Sequence, residues 1–181
     1  MSLSPARLAL AAAVSIAALG GASALAAGSA GKSYTDWQVT RTFKADGATT
    51  CAVRTGVERG GYTLSLEGKL PKGARSPVPT VTFGNLPPLL AGKKGTIRDV
   101  KLTIGDWTVS GLKADWTHGS GAANSRIALS LATKAWPTVI AALSQAQAAS
   151  ASVTLINGTH EFPVRIAPAK AAVAAFADCL R

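Results

Sequence analysis

Apolar and polar residues alternate in short runs along most of the chain beyond residue 36, and this alternation constrains the fold more than any other feature. In residues 62–67 a tyrosine and two leucines alternate with threonine, serine and glutamate. A period of two is typical of a strand with one face on a core and one in water. The chain is therefore predicted to be mainly β, a single antiparallel β-sandwich-like domain with two short α-helices. The predicted strands cover residues 37–42, 50–55, 62–67, 80–83, 99–104, 108–112, 114–118, 126–132, 152–156 and 161–166.

Two segments instead show apolar residues three and four apart, the spacing of an amphipathic helix. They cover residues 135–149, with Pro137 tolerated in the first turn, and residues 168–180. Their apolar stripes are formed by Val139, Ile140 and Leu143, and by Val173, Phe176 and Leu180.

The dipeptide Asn157-Gly158 is the strongest local turn signal in the chain. Asparagine and glycine both accept the positive φ angles that a type I′ turn requires. Residues 152–166 are therefore predicted to form a β-hairpin that turns at these two residues.

The sequence contains two cysteines, Cys51 and Cys179, near opposite ends of the predicted domain. An isolated pair in an exported protein most often forms one disulfide, which is the pairing we predict. On the chain-entropy model, closing so long a loop stabilises the fold by up to about 4–5 kcal/mol. The alternative is a reactive free thiol, although no Cys-x-x-Cys motif supports it.

The N-terminus has the pattern of a secretory signal peptide over residues 1–26. Arg7 precedes an apolar run over residues 8–19. Two Ala-x-Ala sites follow, Ala22-Ser23-Ala24 and Ala24-Leu25-Ala26, and we expect cleavage after Ala26. The alternative is a membrane anchor, but the run is shorter than the roughly 20 residues that a span needs. We expect an exported domain, residues 27–181, that is periplasmic or secreted and has no membrane span.

The chain is strongly basic, with 19 lysines and arginines against 9 acidic residues and a net charge of +10. Such an excess favours anionic partners, although it also serves solubility alone. The candidate anion-binding residues are Lys93, Lys94, Arg98 and Lys101, which cluster around a glycine-rich turn and the start of a predicted strand. Nucleic acid is not the expected partner, because the aromatic-glycine motifs of RNA-binding sheets are missing.

The residues that carry catalysis or bind metals are sparse in this sequence. Its two histidines, His118 and His160, stand in no spacing that suits zinc or copper, so we expect neither a metal nor a cofactor. No catalytic motif is present, and no catalytic residue is assigned. The alternative is a hydrolase with a dispersed site around His118, His160, Asp115 or Glu161.

Four tryptophans are interleaved with basic residues, an arrangement that also occurs on stacking platforms for sugars or nucleic acid. Trp37 and Trp136 are predicted to belong to the core. Trp107 and Trp116 are the candidates for exposed aromatic residues.

The order of these features resembles the invasion-associated locus B family of small exported alphaproteobacterial proteins. The resemblance is carried by the export signal, Asp36-Trp37-Gln38-Val39 and Cys51, followed by a helix, a hairpin and the ending from Phe162-Pro163-Val164 through Ala177-Asp178-Cys179. It implies a β-sandwich-like envelope protein, linked in some relatives to host-cell invasion, without a defined enzymatic activity.

The leading functional interpretation is a non-enzymatic binding protein of the bacterial envelope that contacts an anionic envelope component or a protein. Three alternatives stay open beside it. They are the hydrolase described above, an inhibitor of a host or rival enzyme, and a structural role in the envelope.

Overall fold

The computed structural model describes residues 29–34, 37–43, 47–55, 61–89, 94–119, 124–167 and 169–180. The predicted signal peptide lies outside these residues. The strands are β1 (Ser29–Tyr34), β2 (Trp37–Phe43), β3 (Thr49–Thr55), β4 (Thr63–Leu70), β5 (Val78–Leu86), β6 (Lys94–Ile104), β7 (Trp107–His118), β8 (Ser125–Ser130), β9 (Ala148–Leu155) and β10 (Gly158–Arg165). The helices are α1 (Trp136–Gln145), which follows a 3-10 turn at Thr133–Ala135, and α2 (Lys170–Cys179).

The ten strands of the described residues belong to one antiparallel sheet in the order β1-β2-β3-β4-β5-β8-β7-β6-β9-β10. The first five strands form a meander, in which each strand pairs with the next along the chain. Strands β6 to β8 run back so that β8 lies beside β5, and β9 then returns to pair with β6. Strands β6 to β9 therefore have the spatial order of a Greek key.

The sheet is curled, and its inner face forms the core. Tyr62, just before β4, meets Phe162 of β10 edge to face, with ring centroids 5.4 Å apart. Five strands separate β4 from β10 in the sheet, so the sheet must fold back on itself to bring these rings together. The prediction of a mainly β, sandwich-like fold with two short helices is confirmed.

Alternating residues of every strand from β2 to β10 fill this core. Burying one such large apolar side chain stabilises the fold by about 1.5–3 kcal/mol. The largest fully buried strand side chains are Leu64, Leu66, Phe83, Leu86, Leu102, Ile104, Trp116, Ile127 and Leu129.

A disulfide joins Cys51 of β3 to Cys179 at the end of α2, as predicted. The two Cα atoms are 6.2 Å apart, within the range that unstrained disulfides span. The Trp37 indole N–H also donates to the Ala167 carbonyl at 3.0 Å, which ties β2 to the segment before α2. The last helix is thus held against the first half of the sheet.

Helix α1 is shorter than the predicted segment 135–149, because residues from Ala148 onward join β9. An alanine-rich run suits a helix by propensity, but Ala149, Ala151 and Val153 also alternate with polar residues. Their side chains are buried, and β9 pairs with β6 from Ala149↔Ile104 to Ser152↔Lys101. Tertiary pairing therefore overrides helix propensity. Helix α2 lies within its predicted segment.

The predicted hairpin is present as β9 and β10, but the predicted position of its turn is wrong by one residue. Leu155 pairs with Gly158, so Ile156 and Asn157 are the central residues. Gly158, with φ 124°, is the first residue of β10 and supplies the positive φ just after the turn. The glycine thus follows a turn that lacks the two positive φ angles of type I′.

Candidate functional site

Exposed basic side chains collect on the outer face of β6, β7 and β8. Of the four predicted anion-binding residues, Lys94, Arg98 and Lys101 lie on β6 and are exposed, whereas Lys93 lies outside the described residues. The structure places two further exposed cations beside them, Lys113 of β7 and Arg126 of β8. These five described residues, Lys94, Arg98, Lys101, Lys113 and Arg126, are called the outer basic face below.

The register shows how closely the cations approach one another. Lys94 pairs with Thr117, which in turn pairs with Arg126, so two inter-strand steps of about 4.8 Å separate the two cations. Arg126 Nε donates to Thr117 Oγ1 at 2.8 Å, which orients the guanidinium along this face. The three strands carry five cations against two carboxylates, Asp99 and Asp115.

Two β-bulges set the direction of the side chains on this face. Between Ile97 and Val100, β6 has one more residue than β7, and Asp99 takes φ 56° there. A few residues away β7 has the extra residue, with Gly111 at φ 73°. Because of the first bulge, Ile97 and Val100 both point inward although they are three residues apart. Arg98 and Lys101 can therefore both face outward.

The sequence contained a signal for the two cations that were missed. Ala114, Trp116, Ile127 and Leu129 are buried at alternate positions, so the period of two places Lys113 and Arg126 on the opposite face. The predicted strands broke at residue 113 because Gly111 interrupts the pattern of β7. Register alone shows that these residues lie beside Lys94 and Arg98.

The two aromatic candidates differ in their surroundings. Trp116 is only 1% exposed, so the prediction that it is an exposed aromatic residue is wrong. It lies on the inner face opposite Ile127 and stacks in parallel with His118, at 6.3 Å between centroids. Trp107 is half-buried beside the turn between β6 and β7, where it lines a cavity.

The histidines do not converge on a common site. His118 Nδ1 shares a 2.5 Å hydrogen bond with Ser125 Oγ across the β7–β8 pair. Ser125 is 1% exposed, so its hydroxyl is out of reach of a substrate. His160 Nε2 donates to Asn157 Oδ1 at 3.2 Å within its own hairpin.

The residues of the alternative hydrolase site lie apart. In the sheet, β6 and β9 separate β7, which carries His118, from β10, which carries His160. Asp115 and Glu161 are exposed on the outer face. In the part of the chain that the structure describes, no three His, Cys, Asp or Glu residues form a group that could hold a metal ion.

A cavity of about 590 Å³ lies between the last turns of α1 and the turn that joins β6 to β7. We call it the Trp107 groove. Its polar lining residues are Asp106, Thr138, Gln145 and Gln147, and Trp107, Ile104 and several alanines form the rest of its wall. Sequence reasoning named Trp107 but not the groove, because the two sides of the groove lie about thirty residues apart in the chain.

Comparison with known proteins does not extend these findings. No family model, curated protein or solved structure matches the chain. Among the described residues, no helix is both long and apolar enough to cross a membrane.

Proposed function

We propose that this chain is a non-enzymatic binding protein of the bacterial envelope, periplasmic or secreted, that contacts an anionic partner through its outer basic face. The observation that supports this most directly is the grouping of five exposed cations on three adjacent strands. Charges of one sign on adjacent strands raise the local potential and attract anions from solution. The partner is an anionic envelope component or an acidic protein surface.

Three further features support the location. The Cys51–Cys179 disulfide suits an oxidising compartment, where such bonds persist. The N-terminal export pattern and the resemblance to the invasion-associated locus B family agree with an envelope address. The separation of the histidines from each other, and the burial of Ser125, favour binding over the alternative hydrolase.

Binding to an immobilised acidic polysaccharide, such as alginate, at several salt concentrations tests the proposal. Replacement of all five cations of the outer basic face by serine is expected to weaken binding about tenfold or more, because opposite charges then no longer steer the contact. Wild-type binding is expected to fall as salt rises, since the screening length at physiological ionic strength is about 8 Å.

A matched control removes five exposed cations elsewhere: Lys69, Lys72, Arg75, Lys134 and Lys170. Both variants lose the same net charge, so only the position of the charges differs. The control is expected to keep most of the affinity. Equal losses in the two variants would show that net charge alone drives binding and would overturn the assignment to this face. Full binding by the face variant would overturn it as well.

A further inference from the structure

The Trp107 groove is formed where a tight turn approaches the end of a helix. Gly105, with φ 55°, holds the first central position of the β6–β7 turn, where a type II′ turn requires a positive φ. Its N–H donates to the Ala148 carbonyl at 2.9 Å, and a Cβ built on it would lie 3.4 Å from Ala146 Cβ. The turn is therefore fixed close to the end of α1.

The groove has room for a small ligand. Its volume of about 590 Å³ falls in the range of about 300–1,000 Å³ that small-molecule pockets occupy. The space exists because α1 presents the small residues Ala141 and Ala142 on this side, and the small residue Ala146 follows the helix. Half-buried Trp107 provides the aromatic surface of the wall.

The charge of the groove is opposite to that of the whole protein. Among the described residues that line it, Asp106 is the one ionisable residue, and it is exposed. The last turn of α1 also lines the groove, and no basic residue stands in that turn. The negative end of the helix dipole is thus left uncompensated there. In a chain of net charge +10, this spot favours cations over anions.

We propose that the Trp107 groove binds an alkylammonium group, placed against the indole ring of Trp107 and near the carboxylate of Asp106. A tryptophan face attracts ammonium groups through the ring quadrupole, and quaternary ammonium ligands are recognised in this way. The alkyl part of the ligand packs on the alanines of α1. The side-chain carbonyls of Gln145 and Gln147 can accept hydrogen bonds from a primary ammonium.

Titration of 15N-labelled protein, followed by NMR, tests the proposal with choline and with its uncharged isostere 3,3-dimethylbutan-1-ol. Choline is expected to shift the backbone signals of residues 105–107 and 145–147 and the indole N–H of Trp107. The isostere matches choline in shape but lacks the charge, so its affinity is expected to be lower by a factor of about ten or more. Equal binding of the two compounds would overturn the proposal, as would binding of the neutral sugar cellobiose without binding of choline.

Two variants sharpen the test. Asp106→Asn is expected to lower choline affinity about tenfold, whereas Asp115→Asn removes another exposed carboxylate, on β7 and outside the groove, and is expected to leave choline affinity unchanged. An unchanged spectrum away from the substituted residue shows that each variant is folded. Unchanged affinity in folded Asp106→Asn would contradict the assignment.

A comparison with Nα-acetyl-lysine amide distinguishes the sources of the ammonium group. Tighter binding of choline assigns a free quaternary amine, and tighter binding of the lysine derivative assigns a lysine side chain of a partner protein. Either order supports an alkylammonium site, whereas binding of neither compound would overturn it.

Discussion

The two helices cover the curled sheet in different ways. Helix α2 is bonded covalently to β3, and Leu180, just after α2, packs closely on Gly68 of β4 beside Trp136, the first residue of α1. Helix α1 buries Val139 and Leu143 but faces the β6–β7 turn with alanines, which leaves the Trp107 groove open. The first half of the sheet is tightly closed, whereas the second half carries both candidate binding regions.

Among the predicted changes, removal of the disulfide is expected to lower the stability of the protein most. Replacement of both Cys51 and Cys179 by alanine is expected to lower the free energy of unfolding by about 2–5 kcal/mol, because the unfolded chain is no longer constrained. Urea denaturation measures the change. Wild-type protein unfolded with a reductant is the control and should match the double variant. A loss below about 1 kcal/mol would show that α2 is held mainly by packing rather than by the bond.

Gly68 is the next test of tight closure. A Cβ at this position would lie 2.5 Å from Leu180 Cδ1 and 2.7 Å from Trp136 Cη2, which is closer than packed atoms allow. Gly68→Ala is therefore expected to cost about 1–3 kcal/mol through overpacking. Lys69→Ala, at the adjacent exposed position, should change stability by less than about 0.5 kcal/mol. Equal stability of the two variants in urea denaturation would mean that Leu180 and Trp136 move aside freely and that the helices are not packed tightly on Gly68.

Substitutions in the two bulges of β6 and β7 test how the backbone conformation of the second half of the sheet affects stability. Gly111 has φ 73° with no atom within 4 Å of a built Cβ, so backbone conformation alone opposes a side chain there. Gly111→Ala is expected to destabilise by about 1–2 kcal/mol. Asp99→Gly, at φ 56° in the paired bulge, removes such strain and is expected to be neutral or stabilising. Thermal unfolding of both variants checks the opposite signs, and a loss of stability in Asp99→Gly would contradict this account.

The smallest effect on stability is expected at the outer basic face. Each replacement by serine removes an exposed charge, and exposed charges contribute little to stability because water and salt screen them. The melting temperature of the fivefold variant should therefore stay close to that of the wild type, even though its affinity for polyanions falls. A large drop in melting temperature would show that these side chains support the sheet, and the binding experiment would then require single replacements.

The meander was predictable to a greater extent than the Greek key. Strands β2 to β5 pair with their neighbours in the chain, so alternation and turn residues suffice to place them. Strand β1 was not predicted, since residues 29–34 show no apolar alternation. Between β6 and β7, the bulges at Asp99 and Gly111 break the period, and the prediction accordingly divided β7 into two strands. A bulge inserts one residue into a strand, so a strict period of two cannot follow it.

In the candidate sites, too, some features could be predicted from the sequence and others depend on strand pairing and packing. The basic character of the region around Lys94 and Arg98 was visible in the sequence, but the contribution of Arg126 depends on the pairing of β7 with β8. The Trp107 groove was out of reach, because its two sides come from the β6–β7 turn and from α1. Trp116 was wrongly predicted to be exposed, because its burial depends on which face of the strand lies toward the core.

The sequence by itself determined the class of fold, the disulfide and the presence of the β9–β10 hairpin. The class of fold follows from local periodicity and the hairpin from turn chemistry, and both of these act over short stretches of the chain. The disulfide follows from the number of cysteines, because two cysteines can form only one pair. Only the tertiary structure decided where α1 ends, since Ala149 is equally suited to helix and strand until it meets Ile104 of β6. It also decided which charges share a face and what lines the groove, because contacts between distant segments depend on register and packing, which no local pattern encodes.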